Sequence, residues 1–292
     1  MKLVKEICMD NLFDRPGETA WCPGCGNFGL RKIMLSALAD LGLKQEDVVF
    51  VSGIGQAAKA PQYYNANYFN GLHGRALPAA TGIKAANPGL KVIVESGDGD
   101  MYGEGGNHFL HAMRRNPDIT VIVHDNMIYG LTKGQASPTT PLGIKTPIQV
   151  EGVFETPINP LALAVSMDAS FVARGSVGEA ELTKEIIKKA VNHRGFALVD
   201  VFQACVSFNK VNTHKWFKEH TYKLDESHNP YDRQAAFKKA LESDPMPLGI
   251  IYVNDKKTVF EENLRAYRED KTPLFKRRIR PDTVEGLLKE KV

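Results

Sequence analysis

Four short apolar runs constrain the fold of this chain more than any other feature. They are Val48-Val49-Phe50-Val51-Ser52, Lys91-Val92-Ile93-Val94-Glu95, Ile119-Thr120-Val121-Ile122-Val123 and Phe196-Ala197-Leu198-Val199-Asp200-Val201. A strand that is apolar on both faces has to be covered on both faces, which is the situation of a parallel sheet between two layers of helices. Helical patterns fall between the runs, at about 28–41, 106–115, 160–165 and 179–192. This alternation predicts an α/β, doubly wound, mainly parallel sheet. From about Val211 the pattern fails and the chain becomes more polar. The expected division is therefore a main domain, 1–212, and a C-terminal extension, 213–292, packing on that domain or on a partner.

Bulk properties narrow the function classes. The net charge of +3, from 37 basic and 34 acidic residues, is too small to argue for nucleic acid or a membrane surface. The one basic cluster, residues 276–280, reads as a solvated face or a contact with another chain. The chain opens without an apolar run of signal-peptide length, and no stretch reaches the roughly 18 apolar residues of a membrane span. Four cysteines without an export signal do not make a disulfide scaffold. The expectation is a reducing cytoplasm, in which thiols are free to bind metal.

In an open α/β sheet, ligands bind beyond the C-terminal strand ends. Gly97-Asp98-Gly99-Asp100 follows the second run, and Asn126 follows the third. The 26 residues between Gly99 and Asn126 suffice for one helix and one strand, which would seat Asp98 and Asn126 side by side. A carboxylate, an amide oxygen and the Ile128 carbonyl would offer three hard oxygen ligands. Mg²⁺ takes such ligands and completes its shell from phosphate and water. Glycines here would let the backbone approach a diphosphate. The spacing resembles the thiamine diphosphate motif; a glycine-rich surface turn with an unrelated Asn is the alternative. Asp100 either contacts the cofactor or caps the following helix. Gly53-Ile54-Gly55-Gln56-Ala57-Ala58 also matches a dinucleotide fingerprint, but its context fails. Pro61 stops the helix, and no Asp or Glu occurs from Gln56 to Val94 to bind a ribose.

Cys22 and Cys25 stand in Trp21-Cys22-Pro23-Gly24-Cys25, which resembles a thioredoxin site with Pro and Gly exchanged. Such a site should follow a buried strand, and this one follows a polar, turn-rich segment. Structural zinc commonly takes two Cys-x-x-Cys pairs, or one pair with two histidines, whereas this chain has one pair and the isolated Cys8 and Cys205. An iron–sulfur cluster needs four thiolates and accepts scattered spacing. Cys205 follows the fourth run and so would share the sheet edge of Asp98 and Asn126.

Taken together, these motifs resemble the β subunit of 2-oxoacid:ferredoxin oxidoreductases, and most closely the 2-oxoglutarate type (2-oxoglutarate synthase). The resemblance spans about residues 21–212. It rests on Trp21 to Gly26, Val51-Ser52-Gly53-Ile54-Gly55, His73-Gly74-Arg75, Gly97 to Asp100, Gly105-Gly106-Asn107-His108, residues 126–135 (NMIYGLTKGQ) and Ala204-Cys205. It implies that 1–212 is a thiamine diphosphate- and Fe–S-binding domain carrying Mg²⁺ and a [4Fe-4S] cluster. An α subunit would supply the domain facing the aminopyrimidine and much of the coenzyme A and oxoacid site. The chain should then be inactive alone and active as αβ or (αβ)₂. The implied reaction is oxidative decarboxylation to an acyl-CoA, with electrons passing to ferredoxin; in reverse it is CO₂ fixation.

Residue by residue, the resemblance assigns Asp98, Asn126 and the Ile128 carbonyl to Mg²⁺, and Cys22, Cys25 and Cys205 to the cluster. Gly53, Ile54, Gly55, Gly97, Gly99 and Asp100 join them as cofactor-binding positions. His73 is a candidate for the diphosphate, with a hydrogen-bonded structural histidine as the alternative. Lys133 would face the substrate or pair with α, with a solvated lysine as the alternative. One position departs from the family: Gln56 stands where many members carry a cysteine after Gly-Ile-Gly, and an amide is a poor iron ligand beside thiolates. Three completions are open. Cys8 folds back, which is the preferred one; or a non-cysteine ligand serves; or the cluster is labile or absent. Two competing functions are a non-redox thiamine-dependent decarboxylase subunit with structural zinc, and a non-catalytic scaffold, against which Asp98 and Asn126 argue.

Overall fold

The structure, a computed structural model, describes residues 12–278 and 281–290; Cys8 and residues 279–280 of the basic cluster lie outside them. The four runs become β1 (Val48–Ser52), β3 (Lys91–Gly97), β4 (Ile119–Asp125) and β6 (Ala197–Phe202). Four further strands complete one sheet: β2 (Asn67–Asn70), β5 (Phe171–Ser176), β7 (Thr221–Lys223) and β8 (Met246–Val253). Their spatial order is β2-β1-β3-β4-β6-β5-β8-β7. All neighbours are parallel except β5 and β8, which run antiparallel.

The helices are α1 (Gly26–Leu41), α2 (Ala76–Ala86), α3 (Gly106–Arg115), α4 (Pro160–Ser166), α5 (Ala180–Asn192), α6 (His214–Glu219) and α7 (Arg233–Ala240), with α8 (Phe260–Asn263) and α9 (Pro281–Lys289) at the end. Alternate strand residues feed two cores. Val49, Val51, Val92, Val94, Val121 and Val123 face Leu77 of α2, Phe109 and Met113 of α3, and Leu161 of α4. Val48, Phe50, Ile93, Ile122 and Val199 face Leu30, Met34 and Leu38 of α1 and Ile186 and Ile187 of α5. The period-two alternation of the pleat thus distributes each apolar run between both layers. Truncating a fully buried member such as Leu38 to Ala should cost about 2–5 kcal/mol.

Two of the strands absent from the sequence reading have a plain reason. β2 is an edge strand exposed along its whole length, so it carries no buried face to advertise it. β8 contains Pro247 and Gly249, which interrupt a strand pattern. The segment after 212 packs on the main domain by joining its sheet through β7 and β8. It is braced there by Asp232, which caps α7, and by Tyr267, whose hydroxyl donates to the Ala85 carbonyl at 2.7 Å. Among the described residues no helix is long and apolar enough to cross a membrane.

Candidate active site

The four central strands β1, β3, β4 and β6 are neighbours, and each delivers the loop after its C-terminal end to one cleft. Ile54, Gly55 and Gln56 arrive from β1, Gly97 to Asp100 from β3, Asn126 and Ile128 from β4, and Cys205 from β6. Cys22 and Cys25 join from the turn that leads into α1.

The register of β3 on β4 places Gly97 opposite His124, so Asp98 leaves its strand level with Asp125, and Asn126 follows one residue on. Asp98 is 1% exposed and Asp125 2% exposed. The Thr139 hydroxyl lies between them, 2.7 Å from Asp98 Oδ2 and 2.9 Å from Asp125 Oδ1, and its one proton can serve only one carboxylate at a time. Buried nearby is Asp200, which accepts from Arg174 Nε at 3.1 Å and from the Tyr102 hydroxyl at 2.8 Å. The Arg174 guanidinium thus offsets the charges of Asp200 and Asp125, whereas Asp98 has only hydrogen-bond donors. Burial lifts the Asp98 carboxyl to about 6; the Asp200 charge adds to this, and hydrogen bonds from Ser137 and Thr139 pull it back. Burial, joined by the charges of Asp200 and Asp98, also holds Asp125 well above the usual carboxylate range. Such a set fits a hard divalent cation, which would relieve the like-charge crowding.

The next ligand loop is held by its own turn. Asn126 Oδ1 accepts from Ile128 N at 3.1 Å, Thr140 Oγ1 donates to the Met127 carbonyl at 2.7 Å, and Asn209 Nδ2 donates to the Asn126 carbonyl at 3.0 Å. Met127 has φ +57°, a left-handed backbone that costs a non-glycine residue about 1–3 kcal/mol and needs this bracing.

Asp100 turns its carboxylate to neighbouring loops and does not cap the helix that follows. Oδ1 accepts from Ile54 N at 2.9 Å and Gly74 N at 2.8 Å, and Oδ2 accepts from Ser96 Oγ at 2.6 Å. Gly53 is obligatory for this clamp, since a Cβ there would lie 2.1 Å from Asp100 Oδ2. His73 Nδ1 sits 2.8 Å from Asp100 Oδ1, and the ring is partly exposed to the cleft. Gly99 opens a π-helical turn, Gly99–Glu104, and makes room for Tyr129: a Cβ would lie 2.3 Å from the ring. The Tyr129 hydroxyl donates to the Gly99 carbonyl at 3.1 Å or to Glu104 Oε2 at 3.0 Å. Lys133 is exposed, with φ +76°, in the turn between Tyr129 and Gln135, and is not part of the cleft lining; Leu131 and Thr132 are.

Among the sulfur groups of the cleft, Cys25 N donates to the Cys22 carbonyl at 3.0 Å, and Gly26 N to the Ala204 carbonyl at 3.1 Å. The second bond ties the cysteine pair to the strand end that carries Cys205. A Cβ on Gly130 would lie 3.5 Å from Cys205 Sγ, so this thiol abuts the Asn126 loop. The Trp21 indole donates to the Gln56 carbonyl at 2.8 Å, pinning Gln56 beside the pair. Burial pushes the Cys25 thiol up to about 11, with Cys205 and Cys22 adding to the effect. Among the described residues no three His, Cys, Asp or Glu side chains gather tightly enough for one metal ion. Thiolates on separate irons of a cluster stand farther apart than the donors of a single zinc, so three cysteines in one cleft fit a cluster better.

Several contributors escape a sequence reading. Beneath the cleft runs a buried polar chain: the Tyr64 hydroxyl donates to Glu95 Oε1 (3.1 Å), His124 Nε2 lies 2.9 Å from the same oxygen, and His124 Nδ1 lies 2.8 Å from Asn27 Oδ1. Asn27 lines the cleft. The only sequence signal for this chain is a histidine inside an otherwise apolar strand.

The fold and the oxygen-lined corner define a thiamine diphosphate-binding domain. The family described as thiamine pyrophosphate enzyme, C-terminal TPP binding domain, matches residues 50–201. A second family, the C-terminal part of the pyruvate ferredoxin oxidoreductase beta chain, matches 205–269. Within that class, the chain belongs to the 2-oxoacid:ferredoxin oxidoreductase beta subunits. It is 46% identical over 258 residues to subunit beta of the Saccharolobus solfataricus 2-oxoacid:ferredoxin oxidoreductase, covering 84% of this chain and 85% of that one. It is 42% identical over 197 residues to the 2-oxoglutarate oxidoreductase subunit KorB of Mycobacterium tuberculosis, covering 68% and 53%. A solved 2-oxoglutarate:ferredoxin oxidoreductase from Magnetococcus marinus, with 2-oxoglutarate, coenzyme A and succinyl-CoA bound, superposes with a TM-score of 0.88 at 34% identity, covering 94% of each chain.

Proposed function

We propose that this chain carries the Mg²⁺–thiamine diphosphate site and a [4Fe-4S] cluster of a cytoplasmic, CoA-dependent oxidoreductase acting on 2-oxoglutarate. The observation that carries the reading is that one cleft brings Asp98, Asn126 and Ile128 together with Cys22, Cys25 and Cys205. Thiamine diphosphate, when bound, supplies the electron sink for loss of CO₂, and the cluster supplies a one-electron acceptor beside it. The protein's own groups do the placing. Asp98, Asn126 and the Ile128 carbonyl would hold Mg²⁺ and, through it, the diphosphate. Asp100 fixes the Ile54 and Gly74 loops at set distances from that corner, and His73 is kept beside it on the Asp100 carboxylate. Three cysteines would hold the cluster in the same cleft, with residues 213–292 bracing a cofactor domain of 1–212.

The oxoacid is inferred from the 2-oxoglutarate relatives. The need for an α subunit is supported by the loop between β4 and α4, where Phe154, Ile148 and Val150 are 81, 65 and 62% exposed and would gain from a covering partner. Ferredoxin as electron acceptor, reversal toward CO₂ fixation, and assembly as αβ or (αβ)₂ belong to the same reading. The test is the complex purified anaerobically with its α chain. CoA-dependent reduction of ferredoxin or a viologen dye is expected with 2-oxoglutarate, with succinyl-CoA as product and no turnover by this chain alone. Decarboxylation that neither needs CoA nor reduces an acceptor would overturn the redox assignment.

A further inference from the structure

We propose that the cluster of this chain is held by three cysteines, and that its fourth iron faces the side-chain amide of Gln56 and is therefore exchangeable. The inference rests on the cluster assignment above and deepens it. Gln56 lines the same cleft as Cys22, Cys25 and Cys205. Its Oε1 is buried and has no hydrogen-bond partner among the described residues. A buried amide oxygen left unpaired is destabilising, and buried polar atoms are almost always satisfied. An electron-poor iron is a partner of the required kind.

The placement of Gln56 is built into the fold. The Trp21 indole, adjacent to Cys22, holds the Gln56 carbonyl at 2.8 Å. Lys59 N bonds the same carbonyl at 3.4 Å, so the residue opens the turn that follows. Gly55 before it has φ +126°, a backbone that aims the next side chain and that other residues rarely adopt. One indole therefore registers Gln56 against the cysteine pair. Completion of the cluster by Cys8, which lies outside the described residues, would leave the Gln56 oxygen unpaired. An amide oxygen is a hard, weak donor among three soft thiolates, so the iron it faces is the one held least.

The test compares wild-type complex, purified anaerobically with its α chain, with Cys8→Ser, Gln56→Cys and Gln56→Ala, each treated briefly with ferricyanide. Iron and sulfide are counted, and the electron paramagnetic resonance signal is recorded. Wild type and Cys8→Ser are expected to fall from about four to about three irons per chain, gain the signal of an oxidised three-iron cluster, and recover with ferrous iron and reductant. Gln56→Cys should keep its full iron, and Gln56→Ala should lose the fourth iron several-fold faster than wild type. If Gln56→Cys does not fold, as judged by circular dichroism, the wild-type and Gln56→Ala rates decide. Loss of the whole cluster in Cys8→Ser, with Gln56→Ala matching wild type, would overturn the proposal in favour of Cys8. A wild-type cluster that never yields the three-iron form would overturn it as well. Chains that bind no iron in any variant would remove the underlying cluster assignment instead.

Discussion

At what we call the oxygen wall of the cleft the proposed ligand atoms arrive with their hydrogen bonds in place; at the sulfur wall they arrive on bare turns. Asp98 shares a threonine hydroxyl with Asp125, Asp100 is clamped by two amides and a serine, and the Asn126 turn is braced from Thr140 and Asn209. These ligands leave adjacent strands whose register fixes their spacing. The cysteines come from a turn before α1 and from the end of β6, joined by one backbone bond. Around them Gln56 Oε1 and both amide atoms of Gln203 are buried with no partner among the described residues. The oxygen wall is thus preorganised and electrostatically crowded, whereas the sulfur wall depends on its group to finish it. The two walls should respond to perturbation separately.

The largest separation is expected from Asp98→Asn. Removing the one carboxylate of the proposed Mg²⁺ set should weaken Mg²⁺-dependent retention of thiamine diphosphate by at least about 100-fold, since even outer-shell changes reach 10–100-fold. Iron content should stay at the wild-type level. Calorimetry for the cofactor and iron analysis on the same preparation check both halves, and joint loss of iron and thiamine would mean that the walls form one cooperative unit.

A smaller effect should come from Thr139→Val, which keeps the shape and removes the hydroxyl between two buried carboxyls. The cost should be about 1–3 kcal/mol in urea unfolding of the metal-free protein. Saturating Mg²⁺ should recover part of it, because binding to the folded state alone adds stability. A cost that Mg²⁺ leaves untouched would show that Thr139 serves packing and not the cation corner.

The crowding itself should be visible as a pH effect of definite sign. The Asp98 carboxyl titrates near 6 in the fold, above its ordinary range, and Asp125 and Asp200 move the same way. A raised folded-state value means that the folded chain binds the proton more tightly than the unfolded one. Without Mg²⁺ this contribution favours the fold below the ordinary carboxylate value and is lost as pH rises through about 6. The cation needs the ionised form, so Mg²⁺ affinity should fall by up to about tenfold per unit as pH drops below that point. Melting curves with and without Mg²⁺ should therefore separate at neutral pH and converge in acid; curves that run parallel would deny the like-charge crowding.

How far the sequence reached follows the same divide between local and distant causes. Each central strand announced itself as an apolar run, and three of the proposed ligands stand within three residues of a strand end: Asp98 after β3, Asn126 after β4, Cys205 after β6. Thr139 was invisible because it lies in an irregular loop and meets Asp98 from 41 residues away. The Tyr64–Glu95–His124–Asn27 chain was invisible because its links span 29 to 97 residues, and a histidine within an apolar strand looks like an interruption. Asp100 shows another side of this: a local motif suggested a cofactor contact or a cap, and it gave no sign that the carboxylate also ties loops 46 and 26 residues away. Periodicity reveals strands, and short motifs reveal ligands, but the groups that orient ligands are set by topology.

The smallest effect concerns the sulfur wall before its group arrives. Burial holds the Cys25 thiol up near 11, whereas Cys22 is exposed. In the cluster-free chain Cys25 should therefore remain protonated at neutral pH and alkylate more slowly than Cys22, because the thiolate is the nucleophile. Its rate should climb with pH up to about 11, where the thiolate is no longer scarce. Peptide mass spectrometry after short iodoacetamide pulses resolves the two residues in one experiment. Equal rates at about pH 8 would mean that Cys25 is as open as Cys22 and that the sulfur wall is looser than the hydrogen bonds from Cys25 N and Gly26 N indicate. If the rates differ as expected, cluster loading must also expel the Cys25 proton, so reconstitution should accelerate with rising pH. On the oxygen wall, Mg²⁺ affinity should already be level above about pH 6, because Asp98 has by then lost its proton.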